Sequence, residues 1–286
     1  RLAVSAGTAA MSPAITAAQI PAIAERLPPF PRVVPELLDS LQSDTLSVDN
    51  LVRIARNDSV IAAAILSGAN GLRRLRAQPD TADLFAAASL IGTNKLKQII
   101  VKLGLNKLLS EGSGQAFFYE HSLAVAIVAQ ELAQLVPGVS ADEAYIAGIL
   151  HDIGKLAYFV VDAEAHRRIR QQAIGDGKLL ALEAAAFGLD HCALGALLGS
   201  HWQLPPVILQ AIQGHHDTGG EWTNKLQAVV NLAETLTRAF DIPMSPHNRV
   251  LSLNAGALDY LGLNWAMPEM ADLIGRCRAR FAYAGN

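Results

Sequence analysis

The segment Gly148-Ile-Leu-His151-Asp152-Ile-Gly154-Lys155 puts an imidazole, a carboxylate and an ammonium into an otherwise apolar run. Neighbouring side chains on a helix diverge by about 100°, so His151 and Asp152 can lean from one turn toward one point. A neutral imidazole beside a carboxylate suits a divalent metal ion. Gly154 removes a side chain where a second backbone can come close. Lys155 offers a compact positive charge suited to phosphate. The same residues also describe a helix end whose histidine and aspartate bond each other, and for this pair alone the plainer account is favoured.

Other imidazoles change the balance. His121 lies on the apolar stripe Phe117, His121, Ala124, Val128, Leu132, Leu135 of a helix expected over residues 115–136. Alone it reads as a hydrogen-bonded core histidine. His191 falls in the first turn after Asp190, with Gly195 one turn later on the same face. Cys192 is expected to point elsewhere, as a small buried apolar residue. His215-His216-Asp217 ends the face begun by Ile208 and Ile212, and Asn231 and Glu234 are the polar residues nearest the inward face of the next helix, residues 225–240. His201-Trp202 reads as structural, and His166, in the polar stretch 162–172, is assigned to the solvent face. Four successive helices thus offer imidazole at an inner face or end, so separate explanations lose force. Convergence of His121, His151, Asp152, His191 and at least one of His215 and His216 in a bundle core is expected, as bundles build metal sites from facing helices.

The elements that would position these residues are all helical. Val33 to Leu41, Leu51 to Ala55 and Val60 to Leu66 carry helical apolar spacing, with Ser47, Asn57 or Asp58, and Thr81 as starts and Asn70-Gly71 as a stop. Leu27-Pro-Pro-Phe-Pro31 is extended, because each residue before a proline is driven from the helical region. Ser140 and Glu143 have capping-box spacing before the His151 helix. Helix, glycine, helix across residues 86–102 permits a helix-turn-helix, but an ordinary αα-hairpin explains the pattern better. Glu111-Gly-Ser-Gly114 is the clearest boundary. The expected fold is all-α, divided into a lead-in over 1–21, an N-terminal helical part over 22–112, a bundle over 113–240 and a C-terminal helical extension over 241–286. The short junction and modest N-terminal core lead to the expectation that the two main parts share a broad interface.

Composition sets outer limits. The 286 residues are 51% hydrophobic, with a net charge of −3. There is enough apolar material for a real core and no basic footprint for general nucleic-acid binding. Two cysteines make no disulfide framework, so a reducing cytoplasm is the simplest compartment. No uninterrupted apolar run long enough to span a membrane is evident. The first residue is Arg1, so the sequence is read as a processed chain or a piece of a longer one.

The ordered set Leu27-Pro-Pro-Phe-Pro31, Gly148-Ile-Leu-His-Asp-Ile-Gly-Lys155, Phe187-Gly-Leu-Asp-His191, Trp202-Gln-Leu-Pro205 and Ala211-Ile-Gln-Gly-His-His216 resembles the HD superfamily of metal-dependent phosphohydrolases. It is most similar to the signalling branch, the HDOD (HD-related output) domain, across residues 22–240. The resemblance implies an N-terminal helical part on an HD-like bundle and a regulatory output acting through protein contacts. It implies a signalling partner or an N-terminal regulatory domain outside this sequence. By position it makes His121, His151, Asp152, His191, His215, His216 and Glu234 metal ligands, with Asp152 and Lys155 the catalytic pair if activity is retained. The implied cofactor is a divalent ion such as Fe, Mn, Zn or Mg. Two features depart from the related branch that hydrolyses cyclic di-GMP. No Gly-Tyr-Pro follows the histidine pair, and the last ligand is Glu234 where aspartate is usual. The alternative function is hydrolysis of a nucleotide or cyclic-nucleotide phosphodiester.

Overall fold

The structure, a computed structural model, describes residues 14–42, 47–56, 59–113, 116–173, 178–218, 221–245, 248 and 253–285. Among them there is no strand. A 3-10 turn, Ala17–Gln19, precedes α1 (Ile20–Arg26), α2 (Val33–Gln42), α3 (Val48–Arg56), α4 (Ser59–Leu75), α5 (Leu84–Ile91) and α6 (Thr93–Ser113). Then come α7 (Ala116–Ala133), α8 (Ala141–Leu150), α9 (Lys155–Gln172), α10 (Leu179–Phe187), α11 (His191–His201), α12 (Pro206–Gly214) and α13 (Lys225–Ala239). The chain ends with α14 (Ala255–Leu261), α15 (Pro268–Ala271) and α16 (Leu273–Gly285).

Local chemistry explains most of these boundaries. Asp83 caps α5 by accepting from Phe85 N and Ala86 N. Thr81, expected to start that helix, instead accepts from Asp83 N through its hydroxyl. The Ser140 hydroxyl accepts from Glu143 N at 3.3 Å and opens α8. The stop expected at Asn70-Gly71 does not occur, and α4 runs on to Leu75. The reason is that the Asn70 amide is engaged elsewhere. It donates to Thr81 O at 3.0 Å and accepts from Thr81 N at 2.8 Å, stitching the following loop to the helix. The cap expected at Asn57 or Asp58 lies outside the described residues, as does Gly114.

Helix α7 runs through the centre, buried at every position from His121 to Ala133, with α6, α8, α13 and α16 against it. A helix buried all round has no polar face, which is why its histidine stands among apolar neighbours. One continuous core joins the N-terminal helices to the bundle, from Leu37 and Leu51 through Leu105 and Leu109 to Val125, Ile149 and Leu232. Helix α6 continues through Glu111 and Gly112, so that segment is helix and not loop, and a Cβ on Gly112 would already touch Leu156 and Pro28. The α5–α6 pair is an αα-hairpin inside the core, with Ala87, Ala88, Leu96 and Ile100 buried. Lys97 Nζ, on α6, donates to Asp142 Oδ2 at 2.7 Å. No uninterrupted apolar run of spanning length is present, although the stretch Ala141–Gln172, interrupted by His151, Asp152 and Lys155, contains a window whose mean hydropathy would suit a membrane span. That window is 83% buried within the protein, as the core helices of a bundle are.

The C-terminal extension is attached by charge. Arg276 Nε donates to Glu131 Oε2 at 2.9 Å and Arg280 Nη1 to Glu131 Oε1 at 2.5 Å, tying α16 to α7. Burial pushes the Glu131 carboxyl up, but the Arg276 and Arg280 bonds outweigh it and leave the pKa lowered. A depressed carboxyl stabilises the fold above its unfolded pKa, about 4.3, and that contribution disappears as pH falls through the folded value. Arg280→Met should therefore cost about 1 kcal/mol at pH 7. In urea titrations the difference from the parent chain should shrink below pH 4, whereas a gap unchanged by acid would assign the effect to lost packing. The continuous core gives a second expectation. A fragment ending at residue 113 exposes the α6 face that packs on α7 and α9, so it should show no cooperative thermal transition on its own.

Candidate metal centre

Five elements deliver the cluster. His151 continues the helical path at the C-terminus of α8, with φ −52° and ψ −37°, and Asp152 follows in the turn leading to α9. Asp190 caps α11 through Ala193 N at 2.9 Å, which fixes His191 as the first helical residue. His215 and His216 form the turn after α12, His121 comes from α7 and Glu234 from α13. Close approach of two backbones brings these elements together. A Cβ on Gly154 would lie 1.9 Å from His191 O, and one on Gly195 would lie 2.7 Å from Ile212 Cγ2. Both glycines are therefore required by contact, as the sequence suggested for Gly154.

All the expected ligands meet. Asp152, His191, His215 and His216 each offer one ligand atom within 4.8 Å of the others, and His121, His151 and Glu234 form a second such group. Asp152 stands between them. Its Oδ1 is 3.4 Å from His191 Nε2 and 3.6 Å from His215 Nε2. Its Oδ2 is 3.4 Å from His151 Nε2 and 3.8 Å from His121 Nε2. Glu234 Oε2 lies 3.0 Å from His121 Nε2 and 3.5 Å from His151 Nε2. His121, His151, Asp152, His191, His215 and Glu234 are all nearly inaccessible to solvent, and His216 is partly buried.

The tautomers follow from the outer partners. His151 Nδ1 lies 2.7 Å from Gly148 O, and His215 Nδ1 lies 2.6 Å from Ile212 O. A carbonyl only accepts, so both Nδ1 atoms carry hydrogen, and in the neutral rings both Nε2 atoms present lone pairs. His191 Nδ1 lies 2.5 Å from Glu183 Oε2, which also accepts from His191 N at 3.1 Å. Burial raises the Glu183 carboxyl, but the charge of His191 and the bonds from His166 and His191 overcome it, so the group is ionised. His191 Nδ1 therefore donates to Glu183, and its Nε2 lies 3.3 Å from His215 Nε2. His121 Nε2, His151 Nε2, Asp152 Oδ1 and Glu234 Oε2 are buried without a hydrogen-bond partner. Buried polar atoms without partners are costly in a protein interior, and a positive ion would relieve the carboxylate oxygens and imidazole lone pairs among them. The donor set of nitrogen and carboxylate oxygen could hold such an ion.

Two cations already balance the carboxylates. Lys155 Nζ donates to Asp152 Oδ2 at 2.5 Å. Arg238 Nε donates to Glu234 Oε1 at 2.5 Å, with Nη2 on the same oxygen. For Asp152, burial raises the pKa, but Lys155 and then His151 hold it well below the usual carboxylate range. Glu234 is likewise raised by burial and lowered further by Arg238 and His121. His216 is held well below its ordinary value by burial and by the neighbouring His215 and His191.

Several assignments change. His166 is buried, with Nε2 at 3.4 Å from Glu183 Oε1, and does not face solvent. Asp162 breaks the helical path of α9 at φ −159°, ψ 84°, and its Oδ1 accepts from Ala165 N to start a fresh helical phase. Ala165, His166 and Ile169 face inward in the segment after it, and the polar composition of residues 162–172 concealed that face. Cys192 is buried as expected but does not point elsewhere, since its Sγ is 3.8 Å from His215 Nδ1. Glu183, Arg238 and the link from Asn231 Nδ2 to His215 O were not foreseen. The one signal for Glu183 was a lone carboxylate in the otherwise apolar helix Leu179–Phe187.

Comparison with known proteins supports the fold that carries this cluster. A structure of an HDOD domain protein from Geobacter sulfurreducens is similar with a TM-score of 0.74 and 21% identity, covering 94% of each chain. A candidate signal transduction protein from Marinobacter aquaeolei VT8 is similar at TM-score 0.71 and 20% identity, over 91% of this chain and 59% of that one. A candidate phosphohydrolase from Shewanella amazonensis SB2B has TM-score 0.66 and 22% identity, over 93% of this chain and 96% of that one. At these identities the likeness speaks for the fold. A protein of Treponema pallidum (strain Nichols) is 21% identical over 202 residues, 68% of this chain, and the chain spans only 39% of that relative's length. The family profile of the HDOD domain matches residues 27–218, and with the all-helical fold and the histidine–aspartate cluster in place the chain belongs to the HDOD family.

Proposed function

We propose that this chain is a cytoplasmic signal-transduction output module that acts on a protein partner, or under a regulatory domain elsewhere in its protein, and uses the cluster as a metal-stabilised core. The observation that favours a module over a hydrolase is the engagement of Lys155 and Arg238. Each lies against a carboxylate of the cluster, Lys155 on Asp152 and Arg238 on Glu234, and not toward an incoming phosphate. The missing Gly-Tyr-Pro after His216 points the same way.

The second reading is a metal-dependent phosphohydrolase, favoured by the way Asp152 faces both ligand groups at once. A divalent ion there would supply Lewis-acid activation of water and phosphate. The chain's own part would be to orient the ligands through Asp152 and to balance phosphate charge with Lys155 after it leaves that carboxylate.

Metal content of protein purified without chelators, measured beside turnover of a phosphodiester and nucleotide panel, separates the two. The module reading expects bound metal, no turnover, and a lower melting temperature in His151→Ala. Turnover in the parent chain that disappears in His151→Ala would establish the enzyme instead. Glu183 offers a further check, because it fixes the His191 tautomer from outside the ligand set. Glu183→Gln should weaken metal binding about 10- to 100-fold, as outer partners of ligating histidines do. An unchanged dissociation constant in a metal titration would remove Glu183 from that role.

A further inference from the structure

The HDOD match ends at residue 218, so α13 to α16 lie beyond it. Yet the turn that carries His215 and His216 is held from that side. Carbonyls at a helix C-terminus have no partner within the helix and must find donors elsewhere. Asn231 Nδ2, on α13, donates to His215 O at 3.0 Å and to Asp217 O at 2.9 Å. Asn254 Nδ2 donates to the same Asp217 O at 3.1 Å and to Asn231 Oδ1 at 3.2 Å. Asn254 Oδ1 in turn accepts from Ala257 N and caps α14. Gln227 adds a third grip, donating to Asp217 Oδ2 at 2.8 Å. Asn231 is 3% exposed, so water is no easy substitute for its bonds.

Both ends of the Asn254 amide are therefore in use, one starting a helix and the other holding the ligand turn. Farther along, α16 is tied to α7, the His121 helix, through Arg276, Arg280 and Glu131. The C-terminal extension thus touches three of the elements that bring residues to the cluster: the turn after α12, α13 and α7. The His215 ring is fixed within its own turn by Ile212 O, so the direction of its Nε2 follows the placement of that turn.

We propose that Asn231 and Asn254 are positioning residues for the His215–His216 ligand pair, and that they link the C-terminal helices to occupancy of the cluster. An ion held by the cluster tightens the turn and with it the start of α14, and release of α14 weakens the ion. Linkage of two binding equilibria runs equally in both directions. The inference rests on the metal-binding reading and adds the path by which occupancy reaches a surface. Tyr260, on α14, is 43% exposed, and Trp265, just after it, is 48% exposed, so α14 and the loop behind it present aromatic surface whose order would then depend on the ion.

The test uses the intact chain and Zn2+. Asn254→Asp keeps the shape of the side chain and an oxygen for Ala257 N, so the helix cap survives. It replaces the donor by an oxygen facing Asp217 O and Asn231 Oδ1, which turns two attractions into repulsions. Zn2+ affinity, read by competition with a chromophoric chelator, should fall about tenfold, in the range of outer-shell partners. Amide hydrogen exchange over residues 253–261 should slow on adding Zn2+ to the parent chain and respond little in the variant. Far-UV circular dichroism establishes that the variant is folded, and the exchange measurement on the parent chain stands without it. Equal affinity in the variant, or exchange over 253–261 unaffected by Zn2+ in the parent, overturns the linkage while leaving the metal reading intact. A parent chain that takes up no Zn2+ overturns both.

Discussion

Most of the architecture answers to one carboxylate. Asp152 is 1% exposed and faces four imidazoles and an ammonium. An ionised group so placed is unfavourable unless charges and donors surround it. The bundle meets that demand with side chains from α7, α8, α9, α11, α12 and α13, or the turns they enter. Each of those elements is consequently constrained in position and in rotation. The N-terminal helices share the same core, so the constraint extends beyond the bundle itself.

The cluster is surrounded by a second layer of specific bonds. Gly148 O and Ile212 O fix two imidazoles, Glu183 fixes a third, and Arg238 fixes the carboxylate of Glu234. The extra methylene of glutamate at this place has been accommodated. Arg238, one turn later on α13, takes Oε1, which leaves Oε2 directed at His121 and His151. The departure from aspartate therefore keeps a carboxylate oxygen in the cluster. It also brings a fixed positive charge to its edge, where an anionic substrate would have to compete with Glu234 for the guanidinium.

Backbone contact sets how near these groups come. Gly154 lies where any side chain would collide with His191 O and Gly195 N, so α9 and α11 meet main chain to main chain. Replacement of Gly154 by alanine has no neighbouring flexible side chain to push aside. That contact holds Asp152 and His191 at a fixed spacing whether the pair serves catalysis, metal storage or signalling. The kink at Asp162 then brings His166 up behind Glu183, extending the buried polar chain one residue further.

The sequence by itself determined the helical character of the chain, the extended Leu27–Pro31 stretch, the cap at Ser140 and the residues that gather in the histidine–carboxylate cluster. These are legible because they depend on local periodicity, on proline and capping chemistry, and on residue types in a recognisable order. It also contained the reason for Gly154, since an obligatory glycine beside a metal-type pair implies a close neighbour. Only the tertiary structure decided the grouping of ligands on the two oxygens of Asp152, the burial of His166, and the parts played by Glu183, Arg238, Asn231 and Asn254. Those facts depend on rotations about helix axes and on partners far apart in the chain, such as Asn254 and Asp217, 37 residues apart. The polarity of residues 162–172 outweighed helical spacing in placing His166, which is buried eight residues after Tyr158 on the same side of α9. A periodic pattern specifies which face of a helix is apolar, but the charges that face one another across a core are set by packing alone.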